Sequence, residues 1–280
     1  MDSEIYNFYK DTLKQMKVEI KDYLEHYEEL SFSKRLELEN QFKRAGRIDE
    51  ILSGLSGKTT QSVTDYVRDE LQLGYNGVWY AIEGAENVQL EFGTLPERYI
   101  NELTTKKVNG KNFSTRLYQY RKQLADRTTT ALLSAAANGE GYRKVAKQIG
   151  NLTEANYKQA LRIARTESGR VQSTAKQKAY KDAENIGVKL EKRWLATLDK
   201  KTRTQHQILD GQTVGIDEKF KHDGYEADGP RLFGNASLDV NCRCTTIGIV
   251  SGIAPSLRKD NESKKIIKYK NYNEWAKSRT

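Results

Sequence analysis

The stretch Trp194-Leu195-Ala196-Thr197-Leu198-Asp199 is followed closely by Thr202-Arg203-Thr204-Gln205-His206-Gln207-Ile208-Leu209-Asp210-Gly211. Further on comes Asn241-Cys242-Arg243-Cys244. Together these residues decide how the chain reads. Val188, Leu190, Trp194, Ala196 and Leu198 alternate along one face of a strand, with Lys192 the polar exception. Thr202 to Leu209 predicts a short helix or turn. Val240 to Val250 predicts a closing strand, on which Cys242, Cys244 and Thr246 share one face. Both cysteines of the protein, and the histidines His206 and His222, fall in this region. Soft-ligand and nucleophilic chemistry is therefore concentrated in one small part of the chain.

Upstream of that strand the pattern turns helical. A short helix from Tyr142 to Gly150 precedes a long one from about Thr153. Leu161, Ala164, Ser168, Val171, Ala175 and Ala179 give the long helix a narrow face of mostly small residues that allows close packing. Asn185-Ile186-Gly187 ends it. Ser114 opens another helix that stops at Asn138-Gly139. Residues 83–112 hold turn formers, including Asn109-Gly110, and a short alternating strand through Val88, Leu90 and Phe92. At the N-terminus, Ile5, Tyr9, Leu13, Met16, Ile20, Tyr23 and Tyr27 recur at spacings of three and four, as on a long amphipathic helix. Ser31 or Ser33 would cap a second helix carrying Leu36, Leu38 and Phe42. Gly46, Gly54 and Gly57 would punctuate shorter helices, and a run from Ser62 to Leu73 would end at Gly74.

The fold class is α+β. A mostly helical N-terminal part with long amphipathic helices precedes a small C-terminal module of a long helix and a small, mainly antiparallel sheet. Three segments follow: 1–112 as a helical partner-binding region, 113–250 as the module, and 251–280 as a basic tail ordered only on its binding surface.

Composition narrows the function. Charged residues make up 30% and apolar ones 37%, with a mean hydropathy of −0.80, which suits an elongated protein with much exposed helix. No apolar run reaches the ~18–20 residues that span a bilayer, so no membrane role is expected. Met1-Asp2-Ser3-Glu4 is acidic and lacks the apolar core of a secretory signal. Two cysteines one residue apart make no disulfide framework, which points to a reducing cytoplasm. The net charge of +9 is uneven: residues 154–205 carry 13 Lys and Arg against 6 Asp and Glu, and residues 251–280 carry 8 against 3. Such asymmetry fits contact with nucleic acid or an acidic protein surface, or else a solvated face. The candidate phosphate-contacting residues are Arg162, Arg170, Lys176, Lys178, Lys181, Lys264, Lys265, Lys268 and Lys270.

His206, Cys242 and Cys244 have the ligand chemistry of a structural zinc site, since zinc favours thiolate and imidazole. Asp199, His222 or Asp210 would supply a fourth ligand. The alternative is a packed cluster in which the thiols act as small hydrophobes. Paired Cys-x2-Cys spacing is missing, and no cofactor is firmly implied. Asp199, Asp210, Asp217 and Glu218 read either as a magnesium-dependent nuclease site or as turn and cap residues, and the second reading is preferred. Cys242 as a nucleophile using His206 has no further motif behind it. Glu167 and Arg170 are spaced for an ion pair. No catalytic residue is assigned, and the protein is not expected to be an enzyme.

These motifs, in order, resemble the C-terminal module of the Mu F-like phage head morphogenesis proteins. The resembling residues run from Ala164-Arg165-Thr166-Glu167 through Ala175, Ala179 and Gly187. They continue with Trp194, Asp199, Thr202-Arg203, His206, Leu209-Asp210-Gly211, Phe220 and Asn241-Cys242-Arg243-Cys244. The resemblance implies a framework role for Arg165, Glu167, Trp194, Asp210, Gly211 and Asn241. It implies a minor head protein of a tailed bacteriophage, associated with the portal and the head interior. Its partners would be portal protein, scaffold or major coat protein, and the phage genomic DNA, held without sequence specificity. It would act in procapsid assembly and in DNA packaging or ejection, in the host cytoplasm first and in the virion afterwards. The alternatives are a metal-dependent nuclease or toxin-like enzyme, and a purely structural head component. The short sequence after Cys244 counts against a further catalytic domain.

Overall fold

A computed structural model describes residues 1–87, 92–107 and 111–279. The elements, in order, are α1 (Asp2–Glu28), α2 (Phe32–Ala45), α3 (Arg47–Glu86), α4 (Glu97–Thr105), α5 (Phe113–Ala137), α6 (Tyr142–Asn185), β1 (Leu190–Leu195), α7 (Thr204–Leu209), β2 (Thr213–Gly215), β3 (Phe220–His222), β4 (Tyr225–Ala227), α8 (Ala236–Asp239), β5 (Thr245–Val250), β6 (Leu257–Lys259), β7 (Ile266–Lys268) and α9 (Tyr272–Lys277). The class is α+β, as the sequence predicts. The chain divides into two compact units, one of Met1–Tyr66 and Gly110–Ala164, the other of Val67–Asn109 and Arg165–Thr280. Helices α3 and α6 each contribute to both.

In the first unit, α1 buries Ile5, Tyr9, Met16, Ile20, Tyr23 and Tyr27, the stripe read from their spacing. Thr12 is buried beside them, and Leu13 is only half-buried. Tyr9 donates to Asn156 Oδ1 at 2.7 Å, and Asn156 Nδ2 donates to the Tyr120 carbonyl at 2.7 Å, which ties α1, α5 and α6 together. Arg121, buried on α5, pairs with Asp49 at 2.9 Å. Ser31 is the N-cap of α2, of whose three expected apolar residues only Phe42 is buried. Asn112 caps α5, accepting from Thr115 N–H at 2.9 Å. Gly139, at φ 68°, closes α5 with bonds from Gly139 N–H to Ala136 and from Glu140 N–H to Ala135.

Several expected helix boundaries do not exist. α3 runs unbroken for 40 residues through Gly54, Gly57 and Gly74. α6 runs for 44 residues through Gly150. A glycine inside a helix costs only about 1 kcal/mol, which tertiary packing offsets. Gly74 shows one such offset, because a Cβ there would lie 2.8 Å from the Gln172 carbonyl oxygen of α6. Gly46, at φ 61°, does end α2. Val88, Leu90 and Asn109-Gly110 lie outside the described residues. Phe92 is not in a strand; its ring stacks on Trp79 at 5.2 Å.

In the second unit, α6 ends as read, with Gly187 at φ 94°, Gly187 N–H on the Glu184 carbonyl and Val188 N–H on that of Ala183. The chain then enters the central strand of an antiparallel sheet ordered β2-β1-β5. Trp194 faces Thr246 and Lys192 faces Gly248 across β1 and β5. The small face of α6 covers the sheet: Ala175 and Ala179 are fully buried, and Gly248 leaves room for the Tyr180 ring. The closing strand begins at Thr245, not Val240, because α8 and a turn at Asn241 (φ 54°) intervene. Residues 251–279 are not an unstructured tail. They form the β6-β7 hairpin and α9, and Arg258, Asp260, Tyr272 and Trp275 are buried.

Two glycines of α3, three residues apart, should respond oppositely to alanine. Gly74→Ala forces α3 off α6 and should cost about 1–3 kcal/mol, the usual range for overpacking. Gly77 has open space where a Cβ would go. Gly77→Ala should stabilise by up to about 1 kcal/mol through helix propensity. Urea denaturation of both variants checks the contrast.

Candidate functional site

The site lies where α7, the segment between α8 and β5, and β1 meet. Trp194, Ala196, Leu209, Phe220, Cys242 and Cys244 form one buried cluster, with Val214 and Phe233 against it. His206 joins on the edge, its ring 6.1 Å from that of Trp194. The ligand atoms of His206, Cys242 and Cys244 all lie within 4.8 Å of one another, and all three residues are buried. Both thiols are free.

Each member is held from the backbone. His206 Nε2 lies 3.0 Å from the Leu238 carbonyl oxygen. A carbonyl only accepts, so Nε2 carries a proton, and the other side of the ring faces Cys242. Arg203, at the N-cap of α7, donates to the carbonyls of Ser237, Leu238 and Val240, clamping the α8 turn that carries Cys242. Asn241 N–H donates to Thr166 Oγ1 at 3.2 Å, which fixes the turn to α6. Arg231 donates to the Cys244 carbonyl at 3.3 Å. Its guanidinium fills the space where Gly169 would carry a Cβ, so α6 needs glycine there.

The two thiols titrate unequally. Cys242 is held down to about 4, first by the Cys244 thiol, which donates to it, and further by His206 and the Arg231 charge, against the cost of burial. Cys244 is pushed up by giving that hydrogen bond and by burial. The arrangement is a pair of thiols, one made more acidic and the other less, beside an imidazole. It suits a soft metal or a stabilised thiolate.

The four carboxylates do not gather. Asp199 accepts two bonds from Arg243, one at 2.8 Å, and others from Lys201 N–H and Thr202. The Arg243 guanidinium holds its carboxyl below the usual range. Asp199 is therefore absent from the thiol-imidazole group. Asp217 pairs with Lys181 at 3.0 Å, and Glu218 accepts from Gly215 N–H at 3.0 Å. His222 is buried with Asp223 3.2 Å from its Nε2.

Asp210 has another role. Its carboxylate is fully buried and accepts from Ala196 N–H (2.6 Å), Tyr272 N–H (2.6 Å) and both arms of Arg258 (2.7 and 2.8 Å). Arg258 also donates to the carbonyls of Ala196 and Lys270. Gly211, at φ 86°, turns the chain so that its N–H reaches the Trp194 carbonyl. Sequence reading missed Arg258, Arg231 and Gly169. The only signal for Gly169 is a glycine in mid-helix, and Arg258 carries none.

The basic candidates divide. Arg170 is buried, bonded to Glu167 at 2.9 Å and to the Leu103 carbonyl at 3.1 Å, so it secures α4 to α6 and cannot meet a phosphate. Lys176 donates to Thr245 Oγ1 (2.6 Å) and the Thr246 carbonyl (3.1 Å), and burial pulls its pKa down to about 8. It also leaves the set. Lys178 is half-buried with Asp182 at 2.9 Å. Arg162, Lys181, Lys264, Lys265 and Lys268 are exposed, and Lys270 is half-buried. Arg165 is exposed as well.

Comparison with known proteins follows the same motif. Residues 126–247 match the family described as Phage Mu protein F like protein. The chain is 46% identical over 278 residues to a protein of Enterococcus faecalis named NAD(+)–arginine ADP-ribosyltransferase EFV, covering 99% of this chain and 57% of that one. It is 32% identical over 228 residues to the minor head protein GP7 of Bacillus phage SPP1, covering 79% of this chain and 70% of that one. An uncharacterized protein of Haemophilus influenzae is 29% identical over 130 residues, 46% of this chain and 26% of its own length. No solved structure matches the chain.

Lys192 gives the site a pH signature. It is fully buried on β1, donates to Gln177 Oε1 at 3.0 Å and lies over the Phe220 ring. Burial pulls its pKa down to about 8. Between pH 8 and the ordinary lysine value of about 10.4, the unfolded chain therefore binds more protons, and stability rises with pH. Lys192→Met should stabilise the protein at pH 7 by about 1–3 kcal/mol and flatten the rise between pH 8 and 10. Thermal melts of both proteins across that range read the effect.

Proposed function

This chain belongs to the Phage Mu protein F like family, and on that premise we propose that it is a minor head protein of a tailed bacteriophage that sits at the portal vertex inside the head. The observation that carries the reading is the 32% identity to the SPP1 minor head protein over 70% of that protein's length. In this reading the long helices of residues 1–110 dock on portal, scaffold or coat. The exposed basic residues contact the packaged genome through its phosphates, without reading sequence. The β6-β7 hairpin supports the second half: Lys259, Lys264, Lys265 and Lys268 are all exposed on it, while Arg258 turns inward.

The Enterococcus relative raises a second reading, an NAD-dependent transferase. The chain spans 57% of that protein, so part of the relative has no counterpart in these 280 residues. Much of the shared region also aligns with a protein named only for the phage head. We therefore assign the shared region to head assembly and the transferase chemistry to the remainder of the relative. The nuclease alternative loses support because Asp199, Asp210, Asp217 and Glu218 are each engaged elsewhere.

DNA binding should weaken steeply with salt, by nearly one unit of log K per log salt for each phosphate neutralised. Arg258, Tyr272 and Trp275 are core residues, so truncating the C-terminal segment would unfold the module. Neutralisation is the cleaner test. Lys264→Gln, Lys265→Gln and Lys268→Gln together should weaken binding and lower the salt slope by up to about 3. Salt-independent binding, or none at low salt, would remove the genome contact. Transfer of ADP-ribose from NAD to an arginine acceptor by the 280-residue protein would instead establish the transferase.

A further inference from the structure

We propose that His206, Cys242 and Cys244 together bind one zinc ion, which locks α7 to the segment that runs from the turn after α8 into β5. The proposal stands on the cluster's geometry and does not depend on the head role.

Two thiolate sulfurs and one imidazole nitrogen are the donor set zinc prefers. A tetrahedral ion with zinc–sulfur bonds of about 2.3 Å and zinc–nitrogen bonds of about 2.0 Å separates its ligand atoms by roughly 3.3–3.8 Å. The present spread, within 4.8 Å, closes to that with small side-chain rotations. The His206 ring is already oriented as metal-bound histidines are, with one nitrogen donating to a backbone carbonyl and the other directed at Cys242. Cys242 and Cys244 sit two residues apart between the turn at Asn241 and β5, so binding needs no distant segment to arrive. Their surroundings, Trp194, Phe220 and Leu209, are apolar and disfavour hard, strongly hydrated ions.

The fourth position belongs to a small donor from solvent. Among the described residues, no further His, Cys, Asp or Glu joins the three. Asp199 is taken by Arg243, Asp210 by Arg258, and Asp239 accepts from Phe233 N–H.

The test uses the full 280-residue protein, purified without a metal-affinity step or chelator. Elemental analysis should give roughly one zinc and no copper per chain. Chelation should lower the melting temperature and open both thiols to a thiol reagent, and adding Zn²⁺ should reverse both effects. Cys242→Ser and His206→Gln should lose the zinc. Should these variants fail to fold, titrating the stripped wild-type protein with Co²⁺ decides instead, by the appearance of thiolate-to-cobalt charge-transfer bands. Protein free of zinc that shows no such band, with thiols that Zn²⁺ does not protect, would overturn the proposal and leave a packed cluster. Copper in place of zinc would overturn the assignment of the ion.

Discussion

Removing a carboxylate and a guanidinium from water costs several kcal/mol per ion, and the cost is recovered only where geometry is good and every remaining lone pair and proton is satisfied. Asp210 and Arg258 meet that condition. The carboxylate receives four bonds, two from backbone N–H groups and two from the guanidinium, and the guanidinium also reaches two carbonyls. The pair joins four pieces of chain: the end of α7, the residue after β1, the first strand of the β6-β7 hairpin, and the start of α9. Breaking it strands a buried charge whichever partner is removed. Residues 251–279 are therefore part of the module, although they lie beyond the residues that match the family.

The other motif residues are framework in the same sense. Gly211 permits the turn that sets Asp210 in place. Arg203 and Asn241 hold the α8 turn from two sides, and Glu167 with Arg170 secures α4 to α6. What remains chemically unusual after this accounting is the thiol-imidazole group, and its position at the junction of helix, turn and strand fits a structural task. The chain is similar in sequence both to a phage minor head protein and to a longer protein with an enzyme's name, so the fold alone assigns neither role.

Local chemistry explains which features the sequence disclosed. Apolar spacing gave the stripe of α1, and the alternation through Trp194 gave β1, because both depend on which face meets the core. Asn185-Ile186-Gly187 and Asn138-Gly139 are true helix ends because a left-handed residue satisfies the last carbonyls there. Gly54, Gly57, Gly74 and Gly150 misled, since a glycine signals a helix end only where packing does not carry the helix through it. At Gly74 that packing partner is Gln172, nearly a hundred residues away in sequence. Arg258 was illegible for the same reason: among the neighbouring lysines nothing in the sequence marks it as turned inward. Arg170 and Lys176 likewise resemble their neighbours in sequence but lie on the packed face of α6. The convergence of His206 with the two cysteines was suggested by residue type alone, and Asp199 was not part of it because Arg243 is its neighbour.

The buried Asp210–Arg258 ion pair couples the C-terminal segment to the sheet. A double-mutant cycle with Asp210→Asn and Arg258→Met, followed by chemical denaturation, tests it most directly. Each single change should cost about 3–5 kcal/mol, as for a broken buried pair, and the double mutant should lose little more than either one, giving a coupling above about 2 kcal/mol. Additive losses, agreeing within about 0.5 kcal/mol, would contradict the account and make the two residues independent neighbours.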